Sequence, residues 1–224
     1  MSDSIKLKNY LKNLGINKVG FTTVNGLSKD FIDLPNAISL VLKLPLKTIN
    51  YVENEEYEKY WKSFHEQIDK LTEIAYKGEN YIKKQGYDAF ALTMKRNECD
   101  MEKLLSILPY KTIATKSGLG WIGRSALFVT KEYGSAVVLG GILTDMPLDF
   151  GNPITNSECD DCTNCQDACP VNAINPKKWN FELKRQDIID IEACKDYIIE
   201  QYNAGLGCTK CMSECKLTQK YVNL

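Results

Sequence analysis

Apolar positions recur at i, i+4 and i+7 over residues 4–14 (Leu7, Leu11, Leu14), with Gly15 behind them, and this spacing predicts an amphipathic helix. Residues 16–24 predict a strand. Residues 36–44, almost uniformly apolar and closed by Pro45, predict a buried one. The longest pattern runs over 53–85. Tyr57, Trp61, Phe64, Ile68, Leu71, Ala75, Gly78 and Ile82 alternate steps of four and three, so one helix with a core-facing stripe is expected, ended by Gly86. Gly78 within it marks a weak point or a close approach.

Residues 88–94 predict another strand, and Asp100 can cap a short helix over 101–108 ahead of Pro109. A further helix over 110–117 would stop at Gly118. Residues 126–130 and 135–144 predict a β-hairpin turning through Lys131-Glu-Tyr-Gly134. Polar sequence from Gly151-Asn-Pro153 suggests a boundary, and hence an α+β chain: a sandwich-like α/β domain over 1–150 and a smaller module over 151–224.

Charge narrows the function. Lys and Arg total 28 against 29 Asp and Glu, a net charge of −1. Nothing in that balance grips phosphates, which argues against a nucleic acid as partner. The first residues lack an apolar signal core, and the longest apolar run, Ala136 to Leu143, is far too short to cross a bilayer. No membrane role and a reducing, cytoplasmic setting are therefore expected. There nine cysteines imply metal chemistry rather than disulfides.

Eight of those cysteines lie in the last third. Cys159-Asp-Asp-Cys162-Thr-Asn-Cys165-Gln-Asp-Ala-Cys169-Pro170 is the C-x2-C-x2-C-x3-C-P run that holds [4Fe–4S] cubes in bacterial ferredoxins. Three thiolates with two residues between each cap three corners of one cube, while the fourth serves the other cube. Cys194 and Cys208-Thr-Lys-Cys211-Met-Ser-Glu-Cys215 supply a second set. The expected assignment is crossed. Cys159, Cys162, Cys165 and Cys215 hold one cluster, and Cys194, Cys208, Cys211 and Cys169 the other, in a ferredoxin-like double [4Fe–4S] domain. Paired structural zinc sites are the alternative, though without a histidine nearby. Cys99, outside the run, is expected to be a plain thiol, and His65, the single histidine, a surface or half-buried side chain.

Gly118-Leu-Gly120-Trp-Ile-Gly123 has the literal G-x-G-x-x-G spacing of a dinucleotide loop, but helical sequence precedes it and strand follows, the reverse of that motif's context. Two readings stand: a loop against a flat cofactor, with Trp121 as apolar plane and Arg124 as cation, or a tight connection with Trp121 in the core.

Ala114-Thr-Lys-Ser-Gly-Leu-Gly-Trp-Ile-Gly-Arg-Ser125, Gly141-Ile-Leu-Thr-Asp145, Cys159 to Ile174, and Ala193-Cys-Lys-Asp-Tyr-Ile-Ile-Glu200 together resemble the epoxyqueuosine reductases and their relatives. The likeness is clear over about 100–215 and holds in outline over 10–90. It implies a reductive-dehalogenase/nitroreductase-like α/β domain carrying cobalamin beside two [4Fe–4S] clusters, with the corrinoid near Gly118, Gly120, Trp121, Arg124, Ser125 and Thr144. Where that family carries a proton-donating Asp in a V-D-x-x-P stretch, this chain has Leu104-Leu-Ser-Ile, so no catalytic residue is carried over to Asp100 or Glu102. The sequence also stops soon after Cys215, and Lys216 replaces the usual Pro.

The expected function is an iron–sulfur oxidoreductase that takes electrons from a ferredoxin- or flavodoxin-type donor, through two clusters, to cobalamin and a small substrate. A ferredoxin-type carrier that docks a partner enzyme is the alternative. A handling protein for a corrinoid partner is a third reading.

Overall fold

A computed structural model gives the fold, and the structure describes residues 2–25, 27, 32–94, 96, 99–100, 105–106, 108–202 and 207–223. In chain order the elements are α1 (Asp3–Asn13), β1 (Lys18–Thr23), β2 (Asn36–Lys43), α2 (Leu46–Glu53), α3 (Tyr57–Lys84), β3 (Ala89–Leu92), β4 (Cys99–Asp100) and β5 (Leu105–Ser106). Then come α4 (Tyr110–Lys116), β6 (Trp121–Ile122), β7 (Phe128–Val129), β8 (Val137–Thr144), α5 (Asn164–Asp167), α6 (Arg185–Ile188), α7 (Ile191–Gln201), α8 (Lys210–Ser213) and α9 (Lys216–Val222). The chain clusters into two compact units that interleave along the sequence. One comprises Met1–Leu42, Gln67–Leu119 and Val138–Ile154, the other Lys43–Glu66, Gly120–Val137 and Thr155–Leu224.

The first unit is built on a four-stranded sheet of order β1-β2-β8-β3, in which β1 pairs β2 and β3 pairs β8, both antiparallel. The inner strands β2 and β8 are the two near-continuous apolar runs of the sequence, because an inner strand is covered on both faces and needs no polar alternation. Helix α1 starts at Ser2, whose Oγ accepts from the Ile5 amide, and buries Leu7 and Leu11 completely. Val24, Leu34, Ala37, Leu92, Leu108, Ile113 and Leu143 form one apolar cluster. Gly78 is a close approach rather than a weak point: a Cβ there would lie 2.5 Å from Ile142 Cδ1. Buried Glu79 accepts hydrogen bonds from Lys83 Nζ (2.6 Å), the Ala91 amide (2.8 Å) and Arg96 Nη1 (2.7 Å). The Arg96 guanidinium also stacks on Tyr76 and Phe90.

The second unit gathers the start of α3 with α2, β6, β7 and α5–α9. Here Thr48 and Ser63 hydroxyls bond at 2.6 Å, Tyr221 donates to the Leu44 carbonyl (2.9 Å), and Thr218 Oγ1 accepts from the Ser135 amide (3.0 Å). Among the described residues no helix is long and apolar enough to cross a membrane.

Three expectations are corrected. The helix expected over 53–85 begins at Tyr57, because Glu55 takes a left-handed φ of 58° and divides it from the unexpected helix α2. Its buried face there is Tyr60 and Ser63, with Trp61 and Phe64 half-buried, and His65 is exposed. The expected hairpin shrinks to one bridge, Thr130↔Gly134; β7 pairs instead with β6, and β8 enters the sheet between β2 and β3. The helix expected over 101–108 falls mostly outside the described residues, and where described, Leu105–Ser106 pairs as a strand with Cys99–Asp100.

Candidate metal centre

The cysteine-rich sequence folds as two copies of one small motif. Thr163 and Thr209 occupy the N-caps of four-residue helices α5 and α8 with similar backbone angles (φ −117°, ψ 0° and φ −130°, ψ 17°). Cys165 and Cys211 ride on these helices. Ala168 and Glu214 close them, again with matching geometry (φ −80°, ψ −10° and φ −78°, ψ −2°), so that Cys169 and Cys215 follow each helix end. The two helices pack against each other. Cys194 stands on the first turn of α7, where Asp190 caps the Ala193 amide. Two tight turns need left-handed backbone at non-glycine residues, Asp160 (φ 46°) after Cys159 and Asn172 (φ 50°) after Cys169-Pro-Val, and Asn and Asp tolerate that region better than most residues.

The charges felt by the thiols of Cys165, Cys194 and Cys211 group the cysteines as two sets of four, each including the last cysteine of the other motif. Burial pushes the Cys165 thiol up to about 11, and the charges of Cys159, Cys215 and Cys162 push it in the same direction. Cys194 is raised by burial and then by Cys208 and Cys169. Cys211 is raised by burial and by Cys208, Cys165, Cys194 and Cys169, so the two fours meet at Cys165 and Cys211. Clustered thiols that resist ionisation alone can serve as donors to a polycationic centre, whose charge would offset their mutual repulsion. Among the described residues no three His, Cys, Asp or Glu side chains close around a single metal ion. Among the described residues, two N–H groups point at cysteine sulfurs: Trp121 Nε1 at Cys159 Sγ (3.4 Å) and the Ala173 amide at Cys169 Sγ (3.3 Å).

The residues expected near a corrinoid are packed inward. Gly118, at φ 71°, closes α4, and a Cβ there would run into the Asn152 carbonyl oxygen. Thr144 is fully buried, donating to the Asp88 carbonyl (2.6 Å) and accepting from the Met146 amide. In the second unit a Cβ on Gly120 would collide with the Val129 carbonyl oxygen, and Trp121 and Ser125 are buried. Arg124 is 7% exposed and donates to the carbonyls of Pro176 (2.6 Å) and Asp160 (3.1 Å). Thus Trp121 and Arg124 come to the Cys159 loop, an arrangement that no local spacing signals. A cavity of about 600 Å³ in this unit, lined by Tyr57, Tyr197, Tyr202, Glu55, Glu58 and Lys210, includes none of the expected corrinoid residues.

This fold is that of the reductive dehalogenases and epoxyqueuosine reductases. A reductive dehalogenase whose structure suggests a mechanism for B12-dependent dehalogenation superposes with a TM-score of 0.74 at 18% identity, over 93% of this chain and 31% of that one. An epoxyqueuosine reductase crystallised with an epoxyqueuosine-modified tRNA-Tyr stem loop superposes with a TM-score of 0.62 at 18% identity, over 96% of this chain and 65% of that one. No family model matches the chain.

By sequence the chain is a relative of the epoxyqueuosine reductases. That of Vibrio cholerae serotype O1 is 30% identical over 169 residues, 70% of this chain but only 39% of the relative, so the match spans about two fifths of its length.

Proposed function

We propose that the chain is an iron–sulfur oxidoreductase holding two [4Fe–4S] clusters, one on Cys159, Cys162, Cys165 and Cys215 and one on Cys169, Cys194, Cys208 and Cys211. The observation that supports this is the pair of matching helices α5 and α8, packed together with Cys165 and Cys211 on them, and the electrostatic neighbours of Cys165, Cys194 and Cys211, which cross between the two motifs. In this reading residues 151–224, which contain all eight ligands, are the ferredoxin-like cluster module and residues 1–150 the α/β domain. When bound, the clusters supply one-electron transfer. The chain's own part is to shed the thiol protons as the ligands bind, to hold the two ligand sets side by side through α5 and α8, and to direct N–H groups at two of the sulfurs.

Electrons enter from a ferredoxin- or flavodoxin-type donor. The proposed acceptor is cobalamin and the final substrate a small molecule. Support for cobalamin is the fold shared with a B12-dependent dehalogenase; the side chains at 118–125 and 144 do not add to it, being committed inside the protein. An epoxyqueuosine reductase has been seen with a tRNA stem loop, but the −1 charge of this chain supplies no surplus to grip one. The commitment of Trp121 and Arg124 to a cysteine loop favours a second reading, an electron carrier without a catalytic site.

Anaerobic purification with added hydroxocobalamin, iron counting and an absorbance spectrum test both. About eight irons per chain, with cobalamin bands that survive gel filtration, is the expected result. About eight irons without those bands selects the carrier, and about four or fewer overturns the two-cluster reading.

A further inference from the structure

We propose that Trp121 is a positioning residue for electron transfer: its indole N–H, held on strand β6 ahead of the turn at Gly123, sets the reduction potential of the cluster on Cys159 and leaves the other cluster untouched. This rests on the two-cluster reading above.

Trp121 is 1% exposed, and Nε1 lies 3.4 Å from Cys159 Sγ. Strand β6 and the glycines flanking it are closely packed around the ring. Gly120 lies against the Val129 carbonyl, and Gly123 is so close to Val129 Cγ2 that a Cβ would sit 2.8 Å away, and 3.6 Å from Cys159 Sγ itself. Arg124 ties the far end of the turn to the Cys159 loop through the Asp160 carbonyl, and to the chain beyond through Pro176. The glycines therefore serve backbone contact and access to a ligand sulfur, not a nucleotide.

A hydrogen bond to a ligand sulfur is stronger when the cluster carries the extra electron, because the sulfur is then more negative. Removing it selectively destabilises the reduced state and lowers the midpoint. Cys169 in the other four has a backbone donor instead, the Ala173 amide, which no side-chain substitution removes.

The test is a redox titration of the anaerobic holoprotein followed by electron paramagnetic resonance, wild type against Trp121→Phe. The expected result is one cluster couple shifted to lower potential and the other unmoved. Two unmoved couples, or two that shift together, overturn the proposal while a wild-type count of about eight irons keeps the cluster reading intact. Fewer irons in the wild type overturns both. If Trp121→Phe does not retain its iron, the wild type labelled with indole-15N tryptophan decides. A 15N hyperfine coupling at the reduced cluster is expected, and its absence overturns the proposal. Of the other two indoles, that of Trp61 donates to the Gly207 carbonyl.

Discussion

Cys215 lies only four residues after Cys211, yet its loss is expected to damage the cluster of the Cys159–Cys165 run. The thiol of Cys165 feels the charges of Cys159, Cys215 and Cys162, whereas Cys169 acts on Cys194 and Cys211. Two double variants turn this into a number. Cys165→Ala with Cys215→Ala strips two ligands from one cube and leaves the other whole, so about four irons and one intact [4Fe–4S] signal should remain. Cys165→Ala with Cys169→Ala strips one ligand from each, so no intact cube remains even if each keeps about three irons. Total iron alone would mislead here, because two damaged cubes can retain more metal than one whole cube. The assay is therefore iron and labile sulfide analysis together with electron paramagnetic resonance of the reduced protein. An intact signal in the second variant, or none in the first, would refute the crossed assignment.

Two predictions concern stability. Burial alone would raise the Glu79 carboxyl, but hydrogen bonds from Lys83 and Ala91 and the charge of Arg96 outweigh it and hold the group below its ordinary value. Its contribution is therefore complete above the unfolded carboxylate pKa near ~4 and disappears as pH falls through the lower folded value. Glu79→Gln should cost about 2 kcal/mol at pH 7, the sum of modest terms for two partly exposed cations and one buried amide. In urea titrations that gap should close as the pH falls below the unfolded carboxylate range; a gap that persists in acid sinks the electrostatic account. Gly120→Ala should cost about 3 kcal/mol or more and release iron, because the obstructing Val129 oxygen is backbone and cannot rotate away. Gly86→Ala, at φ 88° with nothing within 4 Å, should cost only about 1 kcal/mol in thermal melts, and equal costs would refute the steric reasoning.

The sequence by itself determined the features set within a turn or two of chain. Helix α1, strands β1, β2 and β3, α4 with its stop at Gly118, and the long period of α3 were all legible, because side-chain period and capping are local properties. The spacing of the cysteines was legible for the same reason, since a tight loop must space its donors to suit what it binds. Short α2 was lost because it offers barely two turns of pattern and runs almost directly into α3. Tertiary structure alone decided that β8 lies between β2 and β3 rather than in a hairpin, since a strand's partner is chosen by burial of both its faces and not by its neighbour in sequence. It also decided what Gly78, Gly120 and Gly123 approach. A glycine's sequence position records that space is short, but the atom filling that space arrives from far along the chain: Ile142 at Gly78, Val129 and then Cys159 at the glycines on either side of Trp121.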